Sequence, residues 1–172
     1  MSLLAAGEVS AARELWERVL TEPERRWFEE AMTTEHLADS YSSSDPDRAV
    51  SLYRRVSELS PTPGGTSGTH QMKLAELLLE TGADGDLREV GELLAWWLEN
   101  AEVPFPSAHF DWNITFVKWA RRLGDHDSAR AGAQRALALM ARGPIFSRHP
   151  TVGLVDANEA TAMWLRSVAE NV

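Results

Sequence analysis

The stretch Gly124-Asp125-His126-Asp127-Ser128-Ala129 decides the fold, because it predicts a tight turn between two antiparallel helices. Gly124 follows an apolar-periodic run, and glycine ends a helix at the least steric cost. Asp127, or Asp125 before it, can cap the amide groups of the next helix. The stretch therefore predicts a helix hairpin.

The same frame occurs three more times upstream. Each copy begins at a glycine or serine, which we call its anchor, and small or bulky apolar residues follow the anchor at +5, +9 and +12. The copies are Gly124 with Ala129, Ala133 and Ala136, Gly85 with Val90, Leu94 and Trp97, Ser44 with Ala49, Tyr53 and Val56, and Gly7 with Ala12, Trp16 and Val19. The anchors are 37, 41 and 39 residues apart. Self-similarity at such a period is typical of a stacked repeat, in which neighbouring hairpins bury a shared seam.

The second helix of one copy carries a family pattern. Ala49, Tyr53, Val56 and Pro61 have the spacing of the alanine, aromatic, alanine and proline of tetratricopeptide repeats. From about Gly7 to Gly143 the chain resembles that family. The resemblance implies a right-handed superhelix of antiparallel helix hairpins.

We therefore predict an all-α array of about eight helices with no sheet, forming one domain over residues 1–172. Its units are 1–22, 23–61, 68–103 and 107–143, followed by a terminal helix at 155–171. Linkers between hairpins are long, at 60–69, 101–107 and 143–153, and should lie side by side on one edge. Expected helix caps are Thr21 with Glu24, Ser107, and Asp156 with Glu159.

Composition narrows the function classes. The chain has no cysteine, which excludes disulfides, thiolate nucleophiles and sulfur-ligated zinc. Its net charge is −9, with −11 in residues 1–103 and +2 in residues 104–172. This balance argues against nucleic-acid binding, and the longest apolar run is too short to span a bilayer. We expect a cytoplasmic protein that binds neither nucleic acid nor membrane.

The sequence contains no catalytic or metal-binding motif. Its five histidines lack metal-ligand spacing, and no phosphate-binding glycine loop or nucleophile elbow occurs. We expect no enzyme activity, no cofactor and no metal. Most of the seven tryptophans should pack in the core. An alternative is a small-molecule site among Trp96, Trp97, Trp112 and Trp119.

The family resemblance implies a peptide-binding groove along the first helix of each hairpin. Its inner positions correspond to Thr34, Glu35, Tyr41, Met72, Ala75, Glu76, Asp111, Ile114, Lys118, Arg121 and Arg122. Lys118, Arg121 and Arg122 lie on one helix side and could anchor a carboxylate. They could equally be a basic last turn favoured by the helix dipole.

A second candidate is the segment Phe146-Ser147-Arg148-His149-Pro150, in which Arg148 and His149 offer cations beside an aromatic ring. The alternative is a plain linker whose Phe146 tucks into the core. The leading hypothesis is a scaffold or adaptor that binds a protein or peptide segment, through the concave groove or the long-loop edge. The alternatives are self-association as a homodimer and a small-molecule-sensing regulatory domain of a larger protein.

Overall fold

The computed structural model describes residues 8–23, 26–61, 65–81, 86–100 and 105–170. Regular structure within these ranges is entirely α-helical, which confirms the predicted fold class and the number of helices. The helices are α1 (Val9–Thr21), α2 (Trp27–Tyr41), α3 (Pro46–Leu59), α4 (His70–Thr81), α5 (Asp86–Asn100), α6 (Pro106–Arg122), α7 (His126–Met140) and α8 (Glu159–Glu170).

Each helix packs against the next one in the chain, which makes the molecule an array. The closest pairs are the hairpins α2/α3, α4/α5 and α6/α7. In addition, α4 contacts α6, so first helices of successive hairpins are neighbours. This arrangement aligns the even-numbered helices on one face.

The +5 positions of the repeat frame are all buried, as predicted, with Ala49 and Val90 in one core and Ala129 in another. Ala12, Ala49, Val90 and Ala129 are each no more than 1 % exposed. Their small side chains let helices approach closely, as the spacing predicted. Positions further along the frame are buried as well, namely Tyr53, Val56, Leu94, Trp97, Ala133 and Ala136. Two of the frame's anchors, Gly7 and Gly85, lie outside the described residues.

The turn at Gly124 has the predicted form. Gly124 has φ +74°, the left-handed conformation that glycine adopts without strain. The N–H of Asp125 donates to the carbonyl of Ala120 at 2.9 Å, and that of Gly124 to Arg121 at 3.1 Å. These bonds satisfy carbonyls at the end of α6. The Asp125 carboxylate then accepts the Ser128 N–H at 3.0 Å and caps α7.

Three helix starts differ from the predictions. Thr21 is the last residue of α1 rather than a cap, and its hydroxyl donates to the Arg18 carbonyl at 2.7 Å. Glu24 lies outside the described residues. The helix after it begins at Trp27, where the Glu29 carboxylate accepts the Arg26 N–H at 3.0 Å.

The other two starts are set by tertiary contacts and local competition. Ser107 lies inside α6, which begins at Pro106, and its N–H donates to the Gly153 carbonyl at 3.0 Å. The cap of α8 is Asn158, whose side-chain oxygen accepts the Thr161 N–H at 2.8 Å. Asp156 lies too early in the chain for that role.

The described parts of the first and third long linkers pack against neighbouring helices, and their predicted arrangement side by side on one edge stays a prediction. The ring of Phe146 contacts that of Phe105 at 6.0 Å between centroids, and Phe146 remains 39 % exposed. The indole N–H of Trp97 donates to the Gly68 carbonyl at 2.8 Å, and its ring contacts His109 edge-on. The third linker therefore packs on the start of α6, and the first on α5.

Candidate functional site

Three clefts run along the face formed by the even-numbered helices. The first, of about 430 Å³, lies between α2 and α4. The second and third, of about 350 and 560 Å³, lie between α4, α6 and α8. Glu76 lines the first and second clefts, Glu80 the first and third, and Lys118 and Trp164 the second and third. Because neighbouring clefts share these walls, they lie in a row along this face, and we call the row the groove.

Two polar contacts join α4 to α6 in the groove. Lys118 Nζ donates to the Glu76 carboxylate in an ion pair whose side chains are both about 40 % exposed. One turn later, Arg122 Nη1 donates to the Leu79 carbonyl at 3.2 Å. The half-exposed pair contributes less than about 1 kcal/mol and can exchange with a ligand.

The groove is divided by charge. Its third cleft gathers Lys118, Arg121 and Arg122 at the end of α6, against Glu80 alone. Its second cleft gathers Glu76, Asp111 and Asp156 against Lys118 alone. At neutral pH the one cleft is positive and the other is negative.

Two charged side chains of the groove are not in ion pairs. Among the described residues, Arg121 and Glu80 have no ion-pair partner.

A third acidic or basic side chain of the groove, Asp111, lies close to another carboxylate. Loss of hydration and the nearby Glu76 carboxylate raise the pKa of Asp111, although the residue as a whole is exposed. An added cation beside Asp111 would relieve this repulsion.

A partly buried ionic network lines the α2 end of the groove. Lys73 Nζ donates to both carboxylate oxygens of Asp39 at 2.8 and 2.9 Å and to Glu35 at 3.1 Å. The Tyr53 hydroxyl donates to Asp39 at 2.5 Å. Glu35 is 2 % exposed and also accepts the backbone N–H of Ser67 at 2.8 Å and its hydroxyl. The network joins α2, α3 and α4 to the 65–69 loop.

The pKa shifts in this network favour the charged forms of Glu35 and Lys73. Burial favours the neutral acid of Glu35, but the two Ser67 bonds and the Lys73 charge outweigh burial and lower its pKa. Burial also disfavours the Lys73 ammonium, and the bonds to Asp39 and Glu35 reverse that effect and raise its pKa. Burial and the adjacent Asp39 raise the pKa of Tyr53.

Six of the thirteen residues that the sequence suggested for peptide binding line the groove, namely Glu76, Asp111, Ile114, Lys118, Arg121 and Arg122. Glu35 is buried beneath it in the ionic network. Tyr41 is half-buried and sandwiched between two guanidinium groups, with Arg13 at 3.8 Å and Arg48 at 4.2 Å from the ring centroid. Arg148 and His149 are exposed on the linker before α8 and line none of the three clefts.

Sequence reasoning missed Asp39, Lys73, Glu80 and Trp164 as groove residues. Lys73 precedes Glu76 by three residues and Glu80 follows it by four, so helical spacing from Glu76 could have found both. Trp164 had no such signal, since the family resemblance ends near Gly143. Only the return of α8 across α6 brings its indole into the groove.

The tryptophans mainly hold helices together. The indole N–H of Trp112 donates to the Leu94 carbonyl at 2.9 Å, and that of Trp119 to Leu87 at 2.7 Å, so both tie α6 to α5. Trp97 and Trp112 are buried in the main core, which confirms core packing for these two. Trp96 is half-buried and lines a separate cleft.

The described ranges contain no cluster of three or more acidic or histidine side chains that could hold a metal ion. They contain no helix with the length and apolarity needed to cross a bilayer. No protein-family model and no curated protein matches this chain.

Proposed function

We propose that the protein is a binding module that holds an extended segment of a partner protein in the groove across α2, α4, α6 and α8. The observation that carries the proposal is the row of three adjacent clefts along this face, with Glu76, Glu80, Lys118 and Trp164 as shared walls. The tetratricopeptide-like spacing of the second helices supports the same function.

The groove's dimensions set the length of the partner segment. Packed helices lie roughly 8–10 Å apart, so four of them span about 25–30 Å. At roughly 3.3 Å per residue, an extended segment needs about eight residues to cross this width.

The charges of the groove define the partner's composition. The cleft around Asp111 and Asp156 favours a lysine or arginine, and the cleft around Arg121 favours a carboxylate. The segment is therefore bipolar, with both charges in one stretch of about eight residues.

A peptide array tests the proposal. Nonapeptides that carry a basic and an acidic residue at varied separations should bind in preference to singly charged peptides of the same length. Arg121→Glu should weaken binding of these peptides by about tenfold or more, because a carboxylate would then face a carboxylate. Arg142→Glu, at an exposed position outside the groove, is the matched control. The proposal would be refuted if singly charged peptides bound as tightly as peptides with both charges, or if the Arg121→Glu variant bound the peptides with unchanged affinity.

A second candidate function is self-association between copies of the chain. It is favoured by the charge difference between residues 1–103, at −11, and residues 104–172, at +2. Association of this kind weakens with salt. Analytical ultracentrifugation at low and high salt tests it, and a monomer at high protein concentration and low salt would exclude it.

A further inference from the structure

The two charged clefts of the groove follow one another along α6. The second cleft is lined by α6 side chains between Phe110 and Lys118, and the third by α6 side chains between Lys118 and Arg122. Because a helix rises by about 1.5 Å per residue, the two clefts together follow α6 for roughly 18 Å. A ligand that fills both clefts therefore lies parallel to this helix.

The helices on both sides of these clefts run in the same direction as α6. On α4, Glu76 lines the second cleft and Glu80 lines the third. Residues 156–158, just before α8, line only the second cleft, whereas Trp164 within α8 lines both. Three parallel helices therefore line one lengthwise depression, which we call the α6 trough.

Charges of opposite sign lie at the two ends of the α6 trough. Asp111 and Asp156 line the second cleft, and neither is in an ion pair among the described residues. Arg121 lines the third cleft and likewise has no ion-pair partner in that part of the chain. Glu80 lies at the same end, but the guanidinium groups of Arg121 and Arg122 outnumber it. Since Asp111 and Arg121 are 10 residues apart in α6, the two ends are separated by about 15 Å along the helix axis.

Between its charged ends the α6 trough offers apolar surface. Ile114 and Trp164 are half-buried, and the Trp164 side chain lines both charged clefts. Lys118 and Glu76, which also line this stretch, neutralise each other in an ion pair. An apolar ligand side chain placed here would remove the exposed surface of Ile114 and Trp164 from water.

The geometry of an extended chain sets the spacing of the matching ligand residues. Successive side chains of such a chain point to opposite faces, so residues i, i+2 and i+4 face the same way. At about 3.3 Å per residue, i and i+4 are roughly 13 Å apart, and long side chains at these positions reach charges about 15 Å apart. A residue at i+3 or i+5 faces away from α6.

We propose that the groove recognises a partner segment with the pattern basic–x–apolar–x–acidic, which lies extended along α6. The basic side chain lies between Asp111 and Asp156, and the acidic one lies beside Arg121. The apolar side chain lies on Ile114 and Trp164. This pattern rests on the binding function proposed for the groove, and it adds the spacing and the path of the recognised residues. The rest of the segment continues from the third cleft into the adjacent first cleft.

Isomeric peptides test the spacing. Blocked nonapeptides each contain one lysine, one leucine and one glutamate among glycines and serines, with the lysine and glutamate two to six positions apart and the leucine between them. Binding is measured by calorimetry. A separation of four should bind about fivefold more tightly than three or five, where one charge faces away from α6. Equal affinity at every spacing, or tightest binding at another spacing, would overturn the proposal.

A helical ligand would require a different spacing, because charges about 15 Å apart would then be about ten residues apart. A longer peptide with that spacing is therefore included, and tighter binding of this peptide would also overturn the proposal. Replacing the leucine of the best nonapeptide by serine should weaken its binding about fivefold through the lost apolar contact. Unchanged affinity would contradict the apolar position of the pattern.

Double-mutant cycles place each peptide charge. Arg121→Glu should weaken the best nonapeptide about tenfold, and this loss should vanish when the peptide glutamate is replaced by serine. Asp111→Lys should weaken it about fivefold, and this loss should vanish when the peptide lysine is replaced by serine. Arg142→Glu and Glu99→Lys, at exposed positions outside the groove, are the matched controls. If both variants coupled to the same peptide charge, the segment would not lie along α6.

The results distinguish the binding function of the groove from the path of the segment. If no peptide with both charges binds, the groove does not hold such a segment, and both proposals are wrong. If these peptides bind and lose affinity in Arg121→Glu, but bind equally at every spacing, the groove binds peptides and only the pattern along α6 is wrong.

Discussion

The imidazole of His70 is fully buried at the first turn of α4, and neither ring nitrogen has a hydrogen-bond partner among the described residues. Burial lowers the pKa of His70 from 6.5 to about 4, although the Glu35 charge acts in the opposite direction and Lys73 in the same direction. Between pH 6.5 and 4 the unfolded chain therefore binds a proton at this position that the folded chain rejects.

This difference predicts an acid sensitivity. Stability from a neutral His70 is fully present above pH 6.5 and is lost as the pH falls towards 4. The free energy of unfolding should fall by about 2 kcal/mol between pH 7 and pH 5 on account of this residue alone. His70→Phe should abolish that part of the decrease, as measured by urea denaturation at the two pH values. An equal pH dependence in both proteins would contradict the assignment.

Glu35 shows how a residue predicted to bind a ligand can serve the fold instead. Glu35→Ala leaves the Ser67 N–H without its acceptor and removes one partner of Lys73. We expect a loss of about 3 kcal/mol in the free energy of unfolding, because breaking a buried pair is far costlier than losing an exposed one. Glu35→Gln, which keeps an acceptor, should lose less, and the exposed Glu80→Ala should lose almost nothing. Protease cleavage in the 65–69 loop should rise in the order of these losses.

At the scale of the helix, two glycines are fixed by packing rather than by backbone conformation. A Cβ added at Gly91 would lie 2.7 Å from an indole carbon of Trp119, and one at Gly132 would lie 2.8 Å from Val117 Cγ2. These glycines therefore let α5 and α7 approach α6. Neither approach was visible in the sequence, where both glycines look like weak points of a helix.

Alanine substitution at these glycines should destabilise the fold despite better helix propensity. The gain of about 1 kcal/mol in propensity is outweighed by overpacking, which costs about 1–3 kcal/mol. We expect a lower melting temperature for Gly91→Ala and Gly132→Ala. Gly143→Ala is the control, since an added Cβ meets nothing within 4 Å there. A higher melting temperature in either helix variant would show that the contact relaxes freely.

Helix ends show which local signals are sufficient for prediction. Asp45 accepts the Arg48 N–H at 3.1 Å with Pro46 in the first turn, and an aspartate followed by proline is a common start of a helix. Ser107 has an equally good capping sequence, but α6 begins one residue earlier. The difference arises because the Ser107 N–H bonds to Gly153, which is distant in the chain and invisible to a local rule.

At the scale of the whole molecule, α6 connects two hydrophobic cores. Ala108 and Trp112 lie in the core shared by α2 to α5, and Val117 and Ala120 lie in the core shared by α7 and α8. In an array of this kind each unit contacts only its neighbours, so stability varies along the chain. The terminal helices α1 and α8 should open first.

Leu165 tests this order of opening. It is fully buried on α8, and Leu165→Ala should cost about 2–5 kcal/mol locally. Hydrogen exchange should accelerate in α8 and on the facing side of α7, with α2 to α5 unchanged. Met163→Ala, at a 59 % exposed position on the same helix, should have little effect. Uniform acceleration along the chain would indicate a single cooperative unit instead.

The sequence alone determined the helical class, the hairpin turns and the small residues of the seam, because a helix face and a cap are set by residues within one or two turns of each other. Glu76, Lys118, Arg121 and Arg122, which the sequence suggested for peptide binding, line the groove, and their role in binding stays a prediction. Tertiary structure alone decided that Glu35 is buried and that Trp164 joins the groove. Those outcomes depend on contacts between segments that lie more than 20 residues apart in the chain. The residue pattern within one helix does not reveal which side chains a neighbouring helix places against it.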